Sequence, residues 1–344
     1  PDRALLAVHA VRASLPHESW ASTLLAVETS LAGRTASLAE TIRERLAAGR
    51  SPVFHEFDML LGLGQGALGL DVAQDPARAV EVAGALADLL AASPLPGGVQ
   101  VDGPPFTGGD WTGEHVNFGL AHGGAGVLHA LCSVAFRLRP DQRTPLSVDV
   151  AEAAVAALRS RADAIPPFAG WSGTSWSDEP AQYRPSWCYG IVGHALVFAM
   201  ASLALDRPEH LRHAVELLHE AFRRIDSFED HSLCHGTAGL VAAGVVVGAL
   251  DDELGATLGP AVSGLADRMA TDHDSSTAFG FSYTSRGFAE AVPVPGVLNG
   301  TAGIGLALVL ARGGLPRASA IDALLRMSPW TSAPAVRAAR WSHS

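Results

Sequence analysis

Four times in this chain a glycine-rich signal opens a long apolar run, and the second glycine of each falls at Gly126, Gly193, Gly239 and Gly303. An earlier, less regular copy lies at 62–66. The copies recur at intervals of about 45–70 residues, the length of two helices and a variable loop. Between them lie segments with helical spacing. Residues 36–48 align Leu38, Ile42 and Leu46. Asp75-Pro76 opens a helix to about Ala92 with Val80, Ala83, Leu86 and Leu90 on one face. Further helices are expected within 1–33, at 146–162, after Asp206 and Pro208 (Leu211, Val215, Leu218, Phe222, Ile225) and at 256–271. Residues 93–117, 163–186 and 272–295 read as long loops, and no segment alternates like a set of strands.

The apolar runs 190–205, 236–250 and 296–311 fall short of the roughly 17–25 residues of a membrane span, and each carries a His or Asn. They read as helices buried on all faces, an inner layer, with the amphipathic helices outside. Glycines where the inner helices start allow close backbone approach. If the repeats close into a ring, every inner helix starts at the same end, and the loops before them converge on one mouth. The expectation is one all-α domain over 1–344, a double ring of helices with no inserted domain.

Chemistry collects at those helix starts. Leu233-Cys234-His235-Gly236 sets two ligand-type residues side by side, and Trp187-Cys188-Tyr189-Gly190 offers a third in the same frame. Cys188, Cys234 and His235 suit zinc, with a fourth position left for water or substrate, as in catalytic sites. His122 and Asp58 lie near two more such starts. Two thiolates already neutralise the metal, so a third sulfur makes the centre electron-rich and stays reactive. That favours thiol alkylation over Lewis-acid hydrolysis.

The net charge of −11, with arginine as the only strong base, argues against a nucleic-acid partner and mildly favours a neutral or cationic peptide. Three cysteines do not make a disulfide framework. A zinc thiolate site needs a reducing, cytoplasmic setting, and no secretory signal is visible.

Asp58 before a glycine-rich turn, Gly119-Leu120-Ala121-His122-Gly123, Trp187-Cys188-Tyr189-Gly190 and Cys234-His235-Gly236 resemble, in this order, the lanthionine synthetase C-like cyclases. The resemblance spans about 57–311. It implies an α/α toroid that binds one Zn2+ through two cysteines and a histidine. It implies addition of peptide cysteine thiols to dehydroalanine or dehydrobutyrine, closing thioether rings. Carried over, the metal ligands are Cys188, Cys234 and His235. His122 is the acid/base histidine and Asp58 the active-site aspartate, while Arg184 and Tyr189 flank the first zinc cysteine. Arg184 would stabilise the enolate formed by attack, Tyr189 would assist, and His122 would protonate the α-carbon. The implied partners are a dehydrated lanthipeptide precursor and a dehydratase, whose complex could bring the protein to a membrane. The early copy departs from the pattern at Gln65.

Blander readings stand beside these. Cys132, His129 and His194 read as core residues. Asp58 could cap a helix, Arg184 could pair with Asp178 or Glu179, and Tyr189 could merely pack beside the metal. Trp171 and Trp176 line a groove or close a loop. Two other functions remain open: addition of another thiol, such as glutathione, to dehydroamino acids, and a non-catalytic peptide-binding module.

Overall fold

The computed structural model describes residues 17–61, 76–95, 97–103, 114–137, 185–228, 230–283 and 291–313, with four helical positions between 152 and 159. The chain runs α1 (His17–Ala47), a helical segment at 54–61, α2 (Pro76–Ala91), strands β1 (Val99–Asp102) and β2 (Glu114–Asn117), then α3 (Gly124–Arg137). After it come α4 (Ile191–Leu205), α5 (Pro208–Arg223), a short 3-10 turn (Ile225–Ser227), α6 (Thr237–Gly248), α7 (Asp252–Thr271) and α8 (Thr301–Ala311).

Two layers form. Helices α3, α4, α6 and α8 pack side by side in that order. Outside them, α2 covers α3 and is backed by α1, α5 covers α4 and α6, and α7 covers α6 and α8. Composition explains the division. Every residue of α4 is buried, because IVGHALVFAMASLAL offers no polar face. By contrast α5 buries Leu211, Ala214, Val215, Leu217, Leu218 and Ala221 and turns its charges outward. Helix α7 does the same with Leu258, Val262, Leu265, Ala266 and Met269. In α1, Thr35, Ala39 and Ile42 are buried along one stripe. Helix α8 departs from the expected all-round burial. It buries only Gly303, Ile304, Ala307 and Leu310, spaced along the side toward its described neighbours, and Val309 is 47% exposed.

Two boundaries differ from the sequence reading. Asp206 does not open α5; it closes α4 in the left-handed conformation at φ 56°, and Arg207 is the residue before α5. Aspartate tolerates that conformation better than most residues. The stretch 93–117 is not all loop. It carries an antiparallel ribbon pairing Val99 with Asn117, Gln100 with Val116, Val101 with His115 and Asp102 with Glu114. Its strands have four residues each, too few to announce themselves among glycines and prolines.

The ribbon positions the site. The Asp102 N–H donates to the Pro52 carbonyl (2.8 Å), which ties β1 to the start of the 54–61 segment. Strand β2 ends at Asn117, five residues before His122. Residues 62–75, 138–150 and 314–344, and the expected elements within them, lie outside the described residues. No helix among the described residues is long and apolar enough to cross a membrane.

Candidate metal centre and the residues around it

Each inner helix begins two residues before its second glycine, at Gly124, Ile191, Thr237 and Thr301. The reason lies in the preceding turn. A β-carbon on Gly193, Gly239 or Gly303 would run into the carbonyl oxygen of Trp187, Leu233 or Val297, six residues earlier each time. Glycine at that place lets the turn fold back onto the helix it opens.

The turns are then stitched to one another. The Ala121 N–H donates to the Cys188 carbonyl (3.1 Å), the Cys188 N–H to the Cys234 carbonyl (3.4 Å), and the Cys234 N–H to the Leu298 carbonyl (2.8 Å). Ala121, Cys188, Cys234 and Leu298 are therefore equivalent positions on four successive turns. One residue on, the equivalent positions hold His122, Tyr189, His235 and Asn299. These side chains stand at repeated places on one edge of the inner layer.

Cys188, Cys234 and His235 converge so that their ligand atoms all lie within 4.8 Å of one another. Cys234 Sγ is 3.8 Å from His235 Nε2. A zinc ion with bonds of about 2.0–2.3 Å holds its ligands roughly 3.5–3.8 Å apart, so the Cys234–His235 spacing suits such an ion and the three residues together could hold one. Cys188 is 2% exposed and Cys234 9%. Burial alone pushes the Cys188 thiol up. Hydrogen bonding to the Cys234 and His235 side chains, and the charge of His235, outweigh burial and hold that thiol well below its ordinary value. The protein thus favours a thiolate in an apolar surround, the state a metal ligand needs. All three cysteines are free thiols.

Two serines shape these turns, and sequence reasoning passed over them. Ser186 Oγ accepts the Tyr189 N–H (3.3 Å) and lies 3.5 Å from Cys188 Sγ. Ser232 Oγ accepts the His235 N–H (3.2 Å). Both are buried, and each stands two residues before a cysteine, so a Ser-x-Cys-x-Gly register was available to find them.

Beside the trio, His122 Nδ1 lies 2.6 Å from Asp58 Oδ1 although 64 residues separate them. The ribbon and Phe54, whose ring centroid is 6.1 Å from that of His122, bring the two together. The carboxylate accepts the Nδ1 proton and so fixes the tautomer. The Tyr189 ring stands between His122 and the donor trio: its centroid is 6.0 Å from that of His122, and it follows Cys188 directly. Burial, and then the nearby Cys188, Asp58 and Cys234, push the Tyr189 phenol far up, partly offset by a hydrogen bond to Asn117. Tyr189 is thus a neutral hydroxyl over the working pH range.

Of the residues singled out from sequence, Asp58, His122, Tyr189, Cys188, Cys234 and His235 meet at this edge. Arg184, Trp171 and Trp176 lie outside the described residues. Cys132, His129 and His194 sit in the core at 0%, 3% and 3% exposure. His194 Nε2 meets the Phe118 carbonyl at 3.4 Å, and the Ser133 hydroxyl donates to the His129 carbonyl at 2.7 Å. A further aromatic residue, unmarked by any motif, reaches the trio. The Tyr283 ring lies 6.4 Å from the His235 ring, tilted by 40°.

The family model described as lanthionine synthetase C-like protein matches residues 107–313. Three chains of solved structures match this one. Among them, nisin cyclase superposes with a TM-score of 0.67 over 96% of this chain and 78% of its own, at 16% identity. At that identity the likeness carries the fold. No curated protein matches the chain.

Proposed function

The chain belongs to the lanthionine synthetase C-like family, and from that premise we propose that it is a zinc-dependent peptide cyclase. It would add cysteine thiols to dehydroalanine or dehydrobutyrine within one dehydrated precursor, forming lanthionine and methyllanthionine rings. The observation that carries this reading is the placement of a Cys-Cys-His donor trio beside an Asp58–His122 pair, with Tyr189 between them.

Cys188, Cys234 and His235 would hold the zinc, which supplies stabilisation of a thiolate at neutral pH. In the reaction the thiol gives up its proton to solvent, sulfur bonds to the β-carbon, and the electron pair of the double bond passes to the α-carbon and its carbonyl. A proton must then reach the α-carbon. His122 is the group that delivers it: with Nδ1 committed to Asp58, exchange with substrate falls to Nε2. Asp58 sets that orientation and stabilises the ring while it is cationic. Tyr189 would donate its hydroxyl proton as a hydrogen bond to the developing enolate oxygen, and Arg184 would add positive charge there. The proposal extends to a closed α/α toroid of one domain, to a cytoplasmic setting, and to a dehydratase that prepares the substrate.

The test uses the zinc-loaded protein and a peptide carrying one dehydroalanine and one cysteine. Cyclisation is an isomerisation, so the expected product has unchanged mass and no alkylatable thiol, and it forms well above the spontaneous rate. His122→Asn should keep the zinc and lose the turnover by roughly 10²–10⁴-fold. A wild-type protein holding zinc that leaves the thiol count at its spontaneous rate would sink the reading.

A further inference from the structure

Tyr283 belongs to no motif, yet it stands against a metal-ligand residue. The chain around it is fixed at several points. The Tyr283 N–H donates to the Val292 carbonyl (2.8 Å) and the Val292 N–H returns to the Tyr283 carbonyl (3.0 Å). Upstream, the Thr301 hydroxyl at the start of α8 donates to the Phe279 carbonyl (2.8 Å). Phe281 is buried, and its ring stands edge-on to His231 and His273, at 5.9 Å and 5.5 Å. The segment 281–283 therefore lies along the turn 231–235, with Phe281 at His231 and Tyr283 at His235. Phe281 anchors the segment, and Tyr283, two residues on, stays half-buried where the metal ligands gather.

The order of the turns says which side of the centre Tyr283 occupies. The backbone stitching runs from Ala121 through Cys188 and Cys234 to Leu298. His122 and Tyr189 thus lie on the turns toward one side of Cys234-His235. The Tyr283 segment leads into the turn on the other side. A dehydroamino acid must place its α-carbon at His122, so it occupies the first side. The residue that brings the thiol then extends over the second.

We propose that Tyr283 is a substrate-contacting residue of this centre, its ring forming the wall on which the thiol-bearing residue of the peptide and its backbone pack. This rests on the thiol-addition reading above. A rigid tyrosine with an apolar face and a polar tip is suited to such contact, because few torsions are frozen when it binds. Tyr283 contacts the peptide chain that carries the sulfur and takes no part in holding the metal.

The experiment compares wild type, Tyr283→Ala and Tyr283→Phe with two readouts. The first is turnover of the dehydrated peptide. Tyr283→Ala should raise KM about tenfold with a smaller change in kcat, at unaltered zinc content and Tm, and Tyr283→Phe should recover most of the loss. The second needs no turnover: the cobalt-substituted protein is titrated with an undehydrated cysteine peptide and with a small thiol, following the sulfur-to-cobalt absorption. Tyr283→Ala should weaken the peptide about tenfold and leave the small thiol alone. If wild type cyclises and Tyr283→Ala keeps its KM, the inference falls and the cyclase reading stands. If wild type does not cyclise but the cobalt titration separates peptide from small thiol as expected, the cyclase reading falls, and what stands is the contact of Tyr283 with a cysteine peptide bound at the centre. Equal weakening for both thiols, or zinc loss in Tyr283→Ala, would assign Tyr283 to the metal scaffold and overturn the inference.

Discussion

Cys132 and Cys188 are both buried thiols, and their surroundings drive them in opposite directions. Cys132 lies in the apolar core, and burial pushes its thiol up to about 12. Around Cys188 the side chains of Cys234 and His235 more than offset burial, and the thiol is pulled down. A thiol raised from 9.0 to about 12 favours the folded state while it stays neutral. That contribution is intact below pH 9.0 and is lost as the pH rises toward about 12. In the metal-free protein at pH 8, an alkylating reagent should therefore label the Cys188–Cys234 centre first. Cys132 should be labelled only once the protein unfolds. Peptide mapping by mass spectrometry decides it: labelling of Cys132 in the folded protein would mean that the core around α3 opens. At the same scale, neighbours in sequence diverge through their partners. Tyr189 is held neutral beside a cysteine held toward its anion.

The element that matters most is the turn before each inner helix. Its glycines are there for close approach, since those described at Gly193, Gly239 and Gly303 all face a carbonyl oxygen. Gly239→Ala would drive a methyl into the Leu233 carbonyl and against the Trp187 β-carbon at 3.2 Å. The expected cost is about 1–3 kcal/mol, together with weaker zinc binding, because Cys234 follows Leu233. Gly264→Ala is the control. It lies on the exposed side of α7, and an added β-carbon meets nothing within 4 Å. It should stabilise by about 0.5–1 kcal/mol through helix propensity. Urea unfolding of the two variants reads both effects, and equal stability would mean that the turn tolerates a side chain. Capping follows the same logic at the other layer. Asp251 accepts the Leu254 N–H (2.9 Å) and begins α7. The inner helices carry no such cap among α4, α6 and α8, where a glycine precedes the first residue and the turn itself shapes the start.

At the scale of the molecule, the donor trio joins two turns whose helices α4 and α6 also pack directly. The backbone stitching carries that junction on to the turns of α3 and α8. The helices pack around an extensive apolar core of their own. Zinc should therefore leave the far-ultraviolet circular dichroism unchanged and raise Tm by a few degrees. The added stability is about 2.7 kcal/mol at a hundredfold excess over Kd. Chelation should reverse the shift. A loss of helical signal on chelation would show instead that the metal is needed to fold the chain, as in small zinc domains.

What the sequence by itself determined is what repeats and what is chemically selective. The recurring glycine frame marked where inner helices start, because a backbone that must touch a carbonyl leaves few alternatives to glycine. Runs such as 190–205 declared burial on every face, because no polar side was available. Cys188 and Cys234-His235, set in the same frame, marked a donor trio that the fold brings together and that could hold a soft metal. Tertiary structure decided the rest. Asp58 reached His122 only through the ribbon β1–β2, whose four-residue strands are stabilised by each other and by the 52–54 segment more than by their own pattern. Asp206 looked like a helix opener but closes α4, since aspartate serves both local geometries and the packing of α5 selects one. Ser186 and Ser232 shared a Ser-x-Cys-x-Gly register in the sequence, but the N–H groups their hydroxyls accept were set by the folding of the turns. Tyr283 carried no signal at all: a lone aromatic in a loop gains meaning from its neighbours, and those are set by long-range packing. Local chemistry and periodicity are written in adjacent residues, whereas the meeting of distant ones depends on how the layers close.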